Sequence, residues 1–157
     1  MADAKPVKGR LKSLQIIHKA MMAGVIILAV LLVLLISSNH LTALLPQYNQ
    51  PLQLVVLVIA AAGFFIGNSI VKKAIAKVRK DGLDINNKWM IYRQACLIQW
   101  ALLEAPAILA LVFFLLTGNY AFVALAVTLI LVMGLTAPTK LKAAMLLQLS
   151  QAEIDEL

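Results

Sequence analysis

The chain has little charge and only one cysteine. Only 13% of its 157 residues are charged and 62% are hydrophobic, whereas a soluble domain needs about a quarter of its residues charged to cover its surface. The missing polar surface indicates that lipid surrounds much of the protein. No intrachain disulfide can form, and we interpret Cys96 as a small apolar packing residue. The composition predicts a polytopic membrane protein.

The sequence motifs of enzyme chemistry are also missing. The sequence has no HExxH, CxxC, P-loop or G-x-S-x-G motif. Its two histidines, His18 and His40, fall at opposite membrane faces in the topology derived below, so they cannot bind one metal ion together. We therefore expect a protein that is not an enzyme and has no metal site and no cofactor.

Four segments are long and apolar enough to cross a bilayer, which takes roughly 20 residues of helix. They cover about residues 18–37, 52–71, 92–118 and 120–138, and the tight turn Gly118-Asn119 makes the last two an antiparallel hairpin. The first run is too long for a signal peptide and lacks an A-x-A site after it, so we interpret it as an uncleaved span. The predicted fold is an all-α, four-helix integral membrane bundle, a single domain over 1–157.

Positive charges are absent from two of the connections between spans. All 14 Lys and Arg residues lie before the first span or in its first two residues, between the second and third spans or in the first two residues of the third, or after the fourth. Residues 38–51 and 118–119 contain none. Cytoplasmic loops carry the excess of Lys and Arg. We therefore predict a bacterial inner-membrane protein with both termini and the hairpin of about 72–91 in the cytoplasm.

The net charge of +7 is thus explained by topology. We do not expect nucleic-acid binding, because the basic residues flank spans and lack interleaved aromatic residues. The expected partner is the lipid bilayer, with other membrane subunits or a second copy of the chain as further candidates. The residues expected at the inner headgroup region combine cations with amphipathic rings: Lys72, Lys73, Lys77, Arg79, Lys80, Trp89, Tyr92 and Arg93.

Polar helical segments are predicted to extend the spans at the inner side. Residues 11–20 form a helical lead-in to the first span, and the second span continues as far as the turn at Asp81-Gly82. Asp84 or Asn86 is the predicted cap of the next helix. The segment of about 139–157 predicts an amphipathic helix at the inner surface, followed by a capping box at 150–153.

Glu104 is the only acidic residue between Asp84 and Glu153. It lies about 16 Å along the third span from Arg93, at 1.5 Å per residue, which is near the middle of a roughly 30 Å hydrocarbon core. An ionised carboxylate at that depth costs several kcal/mol. No Lys, Arg or His falls at the same depth in any span, so we expect a neutral, protonated acid.

Pro106 offers this acid a hydrogen-bond acceptor, because its missing N–H frees the carbonyl of Leu102. Thr128, at about 18 Å from Lys140, is the best candidate partner on another helix. Three interpretations of Glu104 stay open: a structural hydrogen bond that fixes packing, a proton- or ligand-coupled site, and a contact with another subunit.

Other polar and small residues are weaker indications of a functional site than Glu104. Gln99 is about 140° around the helix from Glu104, which argues against a site shared by the two side chains. Gly63 and Gly67 form a G-x-x-x-G motif, and Ala20 and Gly24 form a looser version of it. Such pairs usually mark close helix packing within a bundle.

The third span, YRQACLIQWALLEAPAILALVFFLLTGN, resembles a motif of small uncharacterised four-span bacterial inner-membrane proteins. These read YR-x-A-x(4)-[WY]-ALLEGPAL, and later carry a Pro-Thr pair, a basic amphipathic helix and an L-x-LS-x-x-E tail. The resemblance covers about residues 90–157, and Ala105 stands where a glycine is expected. It implies the four-span topology, draws attention to Tyr92, Arg93, Glu104 and Pro106, and implies no activity.

Two other classes of four-span chain carry an intramembrane carboxylate. Rotary ATPase proteolipids have glycine-dense inner helices and place the acid on the second or fourth span, whereas it is on the third span in this chain. Small multidrug exporters place a glutamate in the first span, and their dual-topology forms need a weak charge bias. The sequence therefore predicts an accessory, structural or assembly component of a membrane complex. The alternative is proton-coupled transport of a small solute or ion through Glu104.

Overall fold

The computed structural model describes residues 9–38, 44–80 and 83–148. Within these ranges the chain is all helical, with no strand, as the sequence predicts. Five α-helices and one short 3-10 turn follow one another along the chain: α1 Arg10–Ser37, the turn Pro46–Tyr48, α2 Asn49–Lys80, α3 Ile85–Thr117, α4 Ala121–Leu135 and α5 Lys140–Leu147. The capping box at 150–153 and the turn at 81–82 lie outside the described residues.

Helix α3 is at the centre of the bundle. It packs against α2 along one side and against α1 and α4 along another, while α1 and α2 have no extensive contact with each other. Its buried residues lie all along its length, from Trp89 to Thr117. The helices beside it expose many of their large apolar side chains, which is what a lipid solvent permits.

The helical extensions of the spans are present. Helix α1 begins at Arg10, so residues 11–20 form the predicted lead-in, with Leu11, Leu14 and His18 buried along one side. Helix α2 continues without a break to Lys80. Asp84 holds the N-cap position of α3, but its carboxylate accepts from the side-chain amide of Asn87 and not from the backbone.

The opposite end of the bundle is closed by backbone hydrogen bonds. Gly118 ends α3 with φ 68°, a left-handed conformation that glycine adopts without strain. The carbonyl of Leu116, left without a partner in the last turn of α3, accepts the N–H groups of Leu44 (2.9 Å) and Leu45 (2.8 Å). These bonds fix the segment before α2 against the end of α3.

Three helices, α1, α2 and α3, are long and apolar enough to cross a membrane. Helix α4 has only 15 residues, and it reaches the length of a fourth span only together with α5, to which it is bent by 64°. Thr139 caps α5 by accepting the N–H of Lys142 at 3.2 Å, and the ammonium of Lys142 donates to the carbonyl of Leu135 at 2.9 Å. The bend between α4 and α5 is therefore held by hydrogen bonds.

Candidate intramembrane polar site

Glu104 lies halfway along α3, partly buried. Among the described residues it makes no hydrogen bond and no ion pair. The expected acceptors are directed elsewhere. The Leu102 carbonyl faces α2 and is about 200° around α3 from Glu104, and the hydroxyl of Thr128 donates to Ala124 in its own helix at 2.8 Å. The structure therefore does not bring Thr128 and Glu104 together as a bonded pair.

Pro106 does not interrupt α3, which stays helical from Ile85 to Thr117. Because proline has no N–H, the carbonyl of Leu102 loses its helical partner. That carbonyl lies against Gly63 of α2, where a β-carbon would collide with it. A bare glycine backbone lets the two helices approach and places a Cα–H group next to the free oxygen. This backbone contact fills the space beside Gly63.

Gln99 joins the same pair of helices one turn nearer the start of α3. Its side-chain amide donates to the oxygen of Asn68 at 2.7 Å, and Gln99 is only 7% exposed. Gly67 makes room for this bond, because a β-carbon there would stand 3.1 Å from Cγ of Gln99. Gly63 and Gly67 therefore lie at close contacts between α2 and α3, and Gln99 is directed toward α2.

Among the described residues, the looser small-residue pair in α1 does not pack against another helix. Ala20 and Gly24 are both exposed, and a β-carbon on Gly24 would meet no atom within 4 Å among the described residues. The contact face of α1 is instead the stripe of Leu14, His18 and Val25, which repeats with helical spacing. The prediction that Ala20 and Gly24 pack was wrong, because spacing within the pair does not show which side of α1 faces the bundle.

The structure adds one buried polar residue that the sequence reasoning did not assign to a contact between helices. His18 is buried between α3 and α4, and its Nε2 lies 3.0 Å from the carbonyl oxygen of Met133. A carbonyl can only accept, so Nε2 carries the proton. The ring also stands edge-on to Trp100, with centroids 4.5 Å apart and planes at 61°. A histidine four residues after Leu14 in an otherwise apolar stripe was the signal that could have predicted its burial.

Trp100 is completely buried, and its indole N–H has no hydrogen-bond partner among the described residues. Glu104 is one helical turn further along α3, and residues four apart lie on the same side of a helix. A buried donor without a partner is unusual in proteins. An unbonded donor, which lies beside His18, and an unbonded carboxyl group thus follow each other along one side of α3.

The two aromatic residues predicted at the inner headgroup region are buried. Trp89 and Tyr92 are each 4% exposed, and their ring centroids are 5.8 Å apart. They pack within the bundle instead of facing lipid, because the first two turns of α3 lie beside α1. Cys96 is buried, as predicted. The described cationic side chains of that set are exposed: Lys72, Lys73, Lys77, Arg79 and Arg93. Lys80 ends α2, and its side chain lies outside the described residues.

No group of three metal-ligating side chains comes together in the part of the chain that the structure describes. Comparison with models of protein families, with curated proteins and with solved structures finds no match to this chain.

Proposed function

We propose that this protein is an accessory, structural or assembly component of a complex in the bacterial inner membrane and has no catalytic activity of its own. In this proposal α1, α2 and α3 each cross the bilayer and α4 with its bent continuation forms the fourth span. Both termini and the turn between α2 and α3 lie in the cytoplasm. The asymmetric distribution of Lys and Arg supports this orientation.

The observation that carries the proposal is that polar groups between the helices are engaged in contacts that join one helix to another. Gln99 is bonded to Asn68, His18 is bonded to Met133, and the free carbonyl of Leu102 is covered by Gly63. Each of these contacts joins two helices, so their function is to hold the bundle together. A bundle whose helices are joined by such contacts and whose sides are apolar suits a membrane scaffold.

The inner extension of α2 is the surface that we assign to a partner. It continues as a helix for two turns beyond the apolar segment and exposes Lys73 and Lys77. A helix that leaves the membrane with a cationic face suits an acidic surface on another subunit.

Purification of the tagged protein in a mild detergent tests this proposal. We expect a larger membrane complex to co-purify at fixed stoichiometry, and we expect K73Q/K77Q to weaken its retention more than K140Q does. Lys140 is an exposed lysine at the same predicted membrane face, so it is a matched control. A protein that purifies alone under all conditions, with both variants behaving as the wild type, would contradict the accessory function.

The predicted orientation has a separate test. Reporter fusions after Lys80 and after Gln47 should report opposite compartments, with Lys80 on the cytoplasmic side. If both sites report the same compartment, α2 does not cross the membrane and the topology is wrong.

A second candidate function is proton-coupled transport of a small solute or ion. Two groups favour it, the unbonded indole N–H of Trp100 and the unbonded carboxyl group of Glu104. An intramembrane carboxyl without a bonding partner has a free proton-binding position. If the purified protein moves protons or solute across liposomes and E104Q abolishes this movement, transport replaces the accessory function. If E104Q changes neither liposome flux nor complex retention, Glu104 has no part in transport.

A further inference from the structure

A groove lined by both polar and apolar side chains lies between the starts of α1 and α3, apart from the site around Glu104. Its volume is about 910 Å³. Both helices contribute to it, and its wall contains two arginines, three side-chain amides and a hydroxyl group. The lining residues that carry these groups are Arg10, Ser13, Asn86, Asn87, Arg93 and Gln94.

The two charged side chains among the described lining residues are both cationic. No Asp or Glu is among the described residues that line it. The nearest carboxylate along the chain, Asp84, accepts a hydrogen bond from the side-chain amide of Asn87 and is not among the residues that line the groove. Arg10 and Arg93 come from different helices and put two permanent positive charges on one groove.

The two arginines of the groove differ in their bonding to the described residues. Arg10 donates from Nη1 to Oδ1 of Asn86 at 2.9 Å, which orients its guanidinium beside the start of α3. Arg93 is exposed and makes no hydrogen bond or ion pair with the described residues. Its five N–H groups are therefore available to bind an anion. A guanidinium binds a phosphate group through two parallel hydrogen bonds, which a single ammonium group does not.

The remaining wall of the groove is apolar. Trp89, Met90 and Leu97 line it beside the polar groups, and α3 continues from Leu97 into its most apolar stretch. A free inorganic anion has no apolar part that could contact this wall. A phospholipid can contact both parts of the groove, because its phosphate is followed within a few atoms by the glycerol and the apolar acyl chains.

We propose that this groove binds the phosphate headgroup of an anionic phospholipid of the cytoplasmic leaflet. Arg93 is the principal phosphate ligand, and Arg10 supplies the second positive charge. The amide of Gln94 and the hydroxyl of Ser13 are further donors. This site rests on the cytoplasmic orientation in the proposed function and is independent of whether the protein has a partner subunit. It differs from the basic extension of α2, whose lysines attract anionic lipid without enclosing a headgroup.

Native mass spectrometry of the full-length protein in detergent tests the site, with phosphatidylglycerol as the probe and phosphatidylcholine as the reference lipid. We expect one phosphatidylglycerol to be retained preferentially. R93Q should reduce its retention about tenfold or more, the effect of losing a charge-assisted hydrogen bond. R93K keeps the charge without the bidentate geometry and should lie in between. R79Q is the matched control, because Arg79 is an exposed arginine on the inner part of α2.

Three outcomes would overturn the proposal. Equal retention of the two lipids would mean that the groove does not select an anion. Equal losses in R93Q and R79Q would mean that the attraction is spread over the basic surface. Displacement of the lipid by millimolar inorganic phosphate would assign the groove to a soluble phosphate. Thermal unfolding of each variant without lipid identifies a variant that loses binding because it does not fold. If R93Q does not fold, the lipid retention of R93K is compared with that of the wild type instead. Because the measurement uses isolated protein, its failure is distinct from a failure to find a partner complex.

Discussion

The carbonyl oxygen of Leu102 occupies the space that a side chain on Gly63 would need. Pro106, four residues after Leu102, has no N–H to bond that oxygen. Pro106 leaves the Leu102 carbonyl without a hydrogen bond, and Gly63 has no side chain to keep that carbonyl away. Both residues therefore shape the same contact between α2 and α3. Helix α2 packs mainly against α3, so this contact is important for holding it in the bundle.

Gly63→Ala should destabilise the protein. The added methyl group meets a backbone oxygen, which cannot move aside as a flexible side chain can, so we expect a loss of about 1–3 kcal/mol. Unfolding in detergent, followed by tryptophan fluorescence, measures this change. Gly24→Ala is the control, because a β-carbon there meets nothing within 4 Å among the described residues, and it should cause no loss. Equal stability of the two variants would show that the α2–α3 approach is looser than described.

The hydrogen bond between Asn68 and Gln99 should be measurable as a coupling energy. A double-mutant cycle with N68L and Q99L isolates it, because each substitution removes one partner. Side-chain hydrogen bonds between membrane helices contribute on average about 0.6 kcal/mol, with values up to about 1.7 kcal/mol. We expect a coupling within that range in reversible detergent unfolding. Additive effects of the two substitutions would mean that the bond contributes nothing to stability.

His18 should contribute through two separable contacts. His18→Phe retains a ring beside Trp100 and loses the bond to the carbonyl of Met133, whereas His18→Leu loses both. Since an aromatic pair contributes about 0.5–1.5 kcal/mol beyond its buried area, we expect the leucine variant to be the less stable by about that amount. Trp100 emission should also change in the leucine variant, measured in a W89F background. Indistinguishable unfolding and emission of the two variants would argue against the ring contact.

Lys142 should hold the bend between α4 and α5. Its ammonium donates to the carbonyl of Leu135, one of the carbonyls at the end of α4 that lack a helical partner. Lys142→Met should speed amide hydrogen exchange in residues 140–147, because α5 then loses this link to α4. Lys140 is equally exposed and makes no hydrogen bond with the described residues, so Lys140→Met is the matched control. Faster exchange in both variants alike would attribute the effect to charge alone.

The helices themselves were largely predictable, because they follow from local physics. An apolar run in which every backbone group must be satisfied internally becomes a helix. The predicted extension to Lys80 and the turn at Gly118-Asn119 depend only on helix-forming and helix-ending residues, and both are found. The fourth span is the exception, since α4 ends at Leu135 and bends before α5.

The contacts of the polar residues were not predictable, because helical spacing gives relative angles and not absolute directions. Residue counting placed Thr128 and Glu104 at similar depth, yet the hydroxyl of Thr128 bonds within its own helix. For the same reason, the spacing of Ala20 and Gly24 did not show that this side of α1 faces away from the other described helices. At Gln99, the predicted angle from Glu104 was useful, since it correctly separated the two side chains, but it did not identify Asn68 as the partner.

The sequence by itself determined the lipid-compatible composition, the helical runs, the charge asymmetry and the residues that cannot continue or complete a helix, since each depends on neighbours along the chain. Only the tertiary structure decided that α3 is central, that Gly63 covers the Leu102 carbonyl, that His18 is bonded to Met133, and that Arg10 and Arg93 line one groove. Those results depend on how each helix is rotated about its own axis. That rotation is fixed by the combined packing of all the helices, and no segment specifies it alone.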